Sequence, residues 1–245
     1  MKLRFDHAVY AVPDLAAASA FFREEWGLHV VMGGAHPNWG THNSLCHFGL
    51  PYVEFIAVQD PDRARESDFG RNVLKGVEAG GGLVTAALAT DDLDVAVALL
   101  RYNGVGVEGP FEGRRRRPDG SLLAWRMAWP EPYGGLPMPF LIQWQQDDDE
   151  RTADLKESGQ IAPHRMGALQ FEGLDYFVRD VPGSVNAFCR YYGQESSSVG
   201  IRLAQGPPDI AEGPYAIRLH GTGGPTRRMA FGVPWELAAA GSGQR

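Results

Sequence analysis

The feature that most constrains this chain is one pattern used three times. Ala11-Val12-Pro13-Asp14-Leu15-Ala16-Ala17-Ala18 closes an apolar run and opens an amphipathic one. Ala89-Thr90-Asp91-Asp92-Leu93-Asp94-Val95-Ala96 repeats it, and Phe177-Val178-Arg179-Asp180-Val181-Pro182-Gly183-Ser184 repeats it again. Each copy sets an Asp where its carboxylate can accept from the first free N–H groups of a helix and sit well in the helix dipole. The helices are predicted over 15–26, 93–103 and 182–192, each stopped by a glycine, at Gly27, Gly104 or Gly193. Short strands follow each helix, so the order strand, helix, three strands recurs. Repetition of this kind predicts an α+β fold of three βαβββ units.

Linkers divide the chain in the same places. Residues 1–146 hold the first two repeats, and an acidic linker, 147–165, follows with Asp147-Asp148-Asp149-Glu150 at its head. The third, degenerate repeat covers 166–236, and 237–245 reads as a disordered tail. Residues 59–82 are polar, with a short helix predicted near Arg71–Ala79. Pro118-Asp119-Gly120 reads as a hairpin tip. Arg114 to Arg117 beside it read as a solvated face, because alternate strand residues point to opposite sides.

Composition narrows the function classes. A formal net charge of -7 argues against a nucleic-acid partner, which needs a basic surface. No apolar run approaches the about 20 residues that span a bilayer, and Met1–Asp6 lacks the apolar core of a signal peptide. The two cysteines, Cys46 and Cys189, lie far apart, which fits a reducing, cytoplasmic setting.

Candidate chemistry gathers in the first repeat. His7 lies on the strand Arg4–Val12, and Glu54 sits inside Tyr52-Val53-Glu54-Phe55-Ile56. A carboxylate there is costly to bury unless something positive meets it. The run from Gly33 to Asn43 reads as a Gly-rich loop, a substrate lip offering His36, Thr41 and Asn43, with His42 as a further acid or base. Trp125 and Trp144, on strands of the second repeat, suit either core packing or ligand stacking.

Asp6-His7-Ala8-Val9, Val12-Pro13-Asp14-Leu15, His36-Pro37, Gly40-Thr41-His42-Asn43 and Tyr52-Val53-Glu54-Phe55-Ile56 resemble the glyoxalase-like domain family of the vicinal oxygen chelate superfamily. Pro139-Phe140-Leu141-Ile142-Gln143-Trp144 resembles the way its second unit ends. The resemblance implies paired units whose curved sheets enclose a cleft, and a divalent metal, Zn, Mn, Fe, Co or Ni, acting there as a Lewis acid. It implies His7 and Glu54 as ligands. Matching the terminal strands adds Gln143, through its amide oxygen, with His36 or His42 reaching in from the loop as the alternative third ligand, while units two and three lack a full pair. The expected function is a metal-dependent lyase, isomerase or dioxygenase acting on a small oxygen-rich molecule. The alternative is a non-catalytic protein that sequesters a small molecule in the same cleft. The odd third unit, without an intrachain partner, points to a homodimer.

Overall fold

The computed structural model describes residues 2–116, 122–222 and 225–239. The first repeat runs β1 (Leu3–Ala11), α1 (Leu15–Glu24), β2 (Val31–His36), β3 (Thr41–His47) and β4 (Tyr52–Val58). Two helices, α2 (Pro61–Ala64) and α3 (Asp68–Glu78), lead to the second repeat. That repeat comprises β5 (Gly82–Thr90), α4 (Leu93–Tyr102), β6 (Val107–Arg116), β7 (Leu122–Pro130) and β8 (Phe140–Trp144). Next come α5 (Asp148–Glu157), β9 (Leu169–Val178), α6 (Val181–Tyr192), β10 (Ile201–Gln205), β11 (Gly213–Gly221), β12 (Thr226–Ala230) and β13 (Val233–Ala239).

All three predicted helix starts are present, and each is capped as expected. Asp14, Asp92 and Asp180 have extended backbones, and their side chains accept from the N–H of Ala17, Val95 and Gly183. Gly27, Gly104 and Gly193 follow the helices with φ of 65°, 70° and 70°. A side chain in that region is strained, so the helices end there.

The chain divides into two compact bodies. One contains residues Met1–His7, Thr85–Asp147 and Gly173–Pro214; the other contains Ala8–Val84, Asp148–Glu172 and Tyr215–Arg245. In the second body, β2, β3 and β4 form an antiparallel run, and the N–H of Val12 donates to the carbonyl of Ile56, beside the end of β1. Helix α1 covers one side of this run. Phe22 stacks on Phe55 with ring centroids 4.5 Å apart, and the hydroxyls of Ser19 and Ser44 lie 2.8 Å apart. In the first body, β5 pairs in parallel with β8, followed by antiparallel β7 and β6. Helix α4 buries Leu93, Ala96, Val97 and Leu100, and Asp94 takes a bidentate pair of hydrogen bonds from Arg126, both 2.8 Å.

Several segments differ from their sequence expectation. Residues 33–43 are no open loop: they fall in a hairpin of β2 and β3 joined by a turn at 37–40, where Gly40 has φ of 62°. Glycines at 33 and 34 looked like loop signals; they lie in the strand beside an irregularity in its register. The acidic run leads into α5, whose Asp148, Asp149 and Glu150 occupy the dipole-favoured first turn. Leu237, Ala238 and Ala239 belong to β13, paired with β11, while residues 240–245 lie outside the described residues. So does the expected Pro118-Asp119-Gly120 tip. The third repeat departs in layout: β10 lies directly beside β9 in parallel, and β13 sits between β11 and β12. A 3-10 turn over Ser196–Val199, closed by Gly200 at φ 73°, precedes β10.

Candidate functional site

Strand alternation decides which residues of the first repeat share a surface. Ser44 and Phe55 face α1. Their neighbours Asn43 and Glu54 therefore point to the opposite face, together with Thr41 and its partner across the hairpin, His36. Four polar side chains meet there. The Asn43 amide is oriented by the N–H of Gly34, which donates to Oδ1 at 2.8 Å, so Nδ2 donates to Glu54 Oε1 at 2.5 Å. His36 Nε2 stands 3.9 Å from the same oxygen, and His36 Nδ1 lies 3.1 Å from Thr41 Oγ1. Trp39, in the turn, meets the His36 ring edge-on at 5.6 Å and Phe69 of α3 at 5.0 Å.

Glu54 is 7% exposed in an otherwise apolar strand. A buried carboxylate is tolerated only with hydrogen-bond donors or positive charge around it, which Asn43 and His36 begin to supply. His42 lies on the other face. It pairs with Ala57 whereas Glu54 pairs with Leu45, so the sheet separates the two residues that the sequence grouped as catalytic. Cys46 shares the side of His42, and burial pushes its thiol well above the usual range.

His7 has its own surroundings in the other body. Its Nδ1 lies 2.6 Å from Asp6 Oδ1, and the indole N–H of Trp144 donates to Asp6 Oδ2 at 2.9 Å. The ring of Phe140 meets that of His7 edge-on at 5.5 Å. Trp125 pairs with Trp144, Met127 with Ile142, and Trp129 stacks on Phe140 at 4.1 Å. Gly113 makes room for Trp125: a methyl group built on Gly113 would overlap the indole nitrogen. This face is aromatic, and α4 lies on the opposite side.

Gln143 occupies the α4 side, paired with Arg126. Its Oε1 accepts from the N–H of Leu93 at 3.1 Å, and its Nε2 donates to the carbonyl of Asp91 at 2.8 Å. Both ends of the amide thus serve the helix start. The strand registers explain the misplacement. Ile142 pairs with Ala89 as Ile56 stands beside Ala11 and Val12, which makes Phe140, and not Gln143, the counterpart of Glu54.

Two residues escaped the sequence reading of the site: Asp6, overlooked although it directly precedes His7, and Trp39, whose indole meets His36 only because residues 31–47 fold as a hairpin.

Donor chemistry can be judged from these surroundings. Glu54 with His36 gives a carboxylate and an imidazole on one face, and His7 is an imidazole backed by a carboxylate, as metal-bound histidines usually are. These donors suit a divalent cation, whereas both ends of the Gln143 amide are hydrogen-bonded at the start of α4. Among the described residues, no three or more His, Cys, Asp or Glu side chains gather into a metal-holding group.

A glyoxalase-like domain model matches residues 5–191. The chain belongs to the glyoxalase-like domain family. Among solved structures, a hypothetical protein from Staphylococcus aureus is 17% identical, with 97% of this chain and 100% of that one covered and a TM-score of 0.81. Streptomyces coelicolor methylmalonyl-CoA epimerase, in complex with 2-nitronate-propionyl-CoA, is 23% identical over 58% of this chain and 98% of its own, with a TM-score of 0.45. The epimerase from Mycobacterium tuberculosis is 22% identical, covering 58% and 86%, at 0.43. No curated protein matches this chain. Among the described residues of this glyoxalase-like protein, no helix is long and apolar enough to cross a membrane.

Proposed function

We propose that this protein is a metal-dependent enzyme of the glyoxalase-like class, of lyase, isomerase or dioxygenase type, acting on a small oxygen-rich molecule. The observation that carries the reading is Glu54: a carboxylate buried on the face of its sheet turned away from α1, oriented by Asn43, with an imidazole nitrogen 3.9 Å away. Glu54 and His36 would hold a divalent cation on that face. His7 is proposed as an imidazole ligand too, on the ground of its carboxylate-backed ring. When bound, the metal would supply Lewis-acid stabilisation of a developing oxyanion. The residues themselves do the rest. Asn43 fixes the Glu54 oxygen, Thr41 fixes the His36 ring, and Trp39 shields that ring from water.

Metal content of the full chain, purified without a His-tag, tests this against Glu54→Gln and His7→Ala. Stoichiometric metal in the native protein and its loss from both variants is the expected result. Failure of the native protein to take up Zn, Mn, Fe, Co or Ni on reloading would sink it. The second reading, a non-catalytic protein binding a small molecule, draws on the commitment of Gln143 to the helix start.

A further inference from the structure

We propose that Asp6 and Trp144 are positioning residues for His7, holding its imidazole with the proton on Nδ1 and leaving Nε2 as the basic nitrogen. Successive residues on a strand ordinarily face opposite ways, yet the Asp6 carboxylate reaches the ring of the very next residue at 2.6 Å. The far oxygen of Asp6 is the acceptor of an indole N–H, a group that can only donate. Asp6 is therefore an acceptor on that side, and on the other it shares one proton with an imidazole. A carboxylate held as an acceptor by the indole N–H accepts from the imidazole as well, which sets the proton on Nδ1.

Burial gives this arrangement its force. Asp6 is 2% exposed and His7 4% exposed. Hydrogen bonds to a carboxylate are strong where water competes poorly, and two N–H groups on one carboxylate pin its plane. Phe140, edge-on at 5.5 Å, limits rotation of the imidazole. With Nδ1 committed as a donor, the neutral ring carries its lone pair on Nε2. A histidine that binds a metal or takes a proton is normally held this way, its other N–H given to a carboxylate. Trp144, expected from sequence to contact substrate, has its N–H directed at Asp6 and acts through it.

This inference rests on the reading of His7 as a functional residue, but its test does not need activity or metal. Two-bond 1H–15N correlation spectra of the full chain, labelled at histidine and free of metal, report the tautomer at about pH 8, where an ordinary histidine is neutral. A His7→Gln spectrum assigns the His7 signals among the 7 histidines. Wild-type protein is expected to show the Nδ1–H form. In Asp6→Asn the side-chain amide can donate to Nδ1, and the ring is expected to switch to the Nε2–H form. Trp144→Phe keeps an aromatic side chain but drops the N–H, and a mixture of the two forms is expected. An Nε2–H ring in the wild type overturns the proposal, even if a variant fails to fold. So does an unchanged tautomer in both folded variants. Where the protein binds metal, Asp6→Asn should weaken its affinity by about 10- to 100-fold. A chain that shows the expected tautomer but takes up no metal would remove the functional reading and leave the positioning of His7 intact.

Discussion

The first and second repeats share one topology and present opposite chemistry. Each runs strand, helix, three strands, with an Asp at the helix start and a left-handed Gly beyond its end. On the side of the helix the two are alike in kind: apolar helix residues meet the sheet, with a polar pair, Ser19–Ser44 or Asp94–Arg126, beside them. On the face turned away from the helix they part. The first gathers His36, Thr41, Asn43 and Glu54; the second gathers Trp125, Trp129, Phe140 and Trp144. At corresponding places in the registers stand Glu54 in one and Phe140 in the other. The helix-covered faces are alike, and the two repeats differ on the faces turned away from the helices.

The hardest test of that division is Phe22→Ala, which removes the ring stacked on Phe55. Loss of about 3–5 kcal/mol of stability is expected in urea unfolding, as for other large core truncations. A cost below about 1 kcal/mol, the usual range of surface changes, would mean that the helix side does not hold the repeat together.

Next come the faces turned away from the helices. Asn43→Asp replaces the amide that orients Glu54 with a second carboxylate, and like charges at that distance repel. Stability at neutral pH should fall by about 1–3 kcal/mol, with part of it recovered at lower pH as one carboxyl gains a proton. Gly113→Ala puts a methyl group where the Trp125 indole lies, at a comparable cost of about 1–3 kcal/mol and with a shift in tryptophan fluorescence. Gly82→Ala, where the new methyl would meet nothing within 4 Å, is the control and should change little.

Removing the caps one at a time, Asp14→Ala, Asp92→Ala and Asp180→Ala, should cost about 1 kcal/mol each. Similar costs would mark the cap as the shared element; a cost confined to one repeat would break the comparison.

The smallest effect concerns pH. His164 Nδ1 accepts from the backbone N–H of His29 at 2.9 Å, and its ring lies 4.9 Å from that of Phe48. Burial first, then the neighbouring His29, holds its pKa below the ordinary value of 6.5. The unfolded chain thus takes up this proton more readily than the folded one. The contribution of His164 is full above the ordinary value and is lost as pH falls through the lowered one. Urea unfolding at about pH 7.5 and pH 5.5, on either side of an ordinary histidine, should show a drop that His164→Asn reduces.

The family and the three helix starts were legible in the sequence because they depend on neighbours along the chain. An Asp three residues before the N–H it accepts from, a Gly at the helix end and an apolar stripe between them are local signals. His7 and Glu54 could likewise be read off as candidates. Distant pairings could not. A one-place choice of register turns a strand residue to the other face, and that choice put His42 away from Glu54 and turned Gln143 toward the start of α4. The hairpin at 31–47 hid behind glycines that looked like a loop.

Caps and periodicity act over a few residues, so the starts of the three repeat helices, and the residue types available for chemistry, are fixed locally along the chain. Which of those residues face one another is set by packing across the fold. Alternation on a strand gives two equivalent choices, and what breaks the tie is packing between segments far apart in the chain: Phe22 on Phe55, Trp144 on Asp6, Asn43 on Glu54.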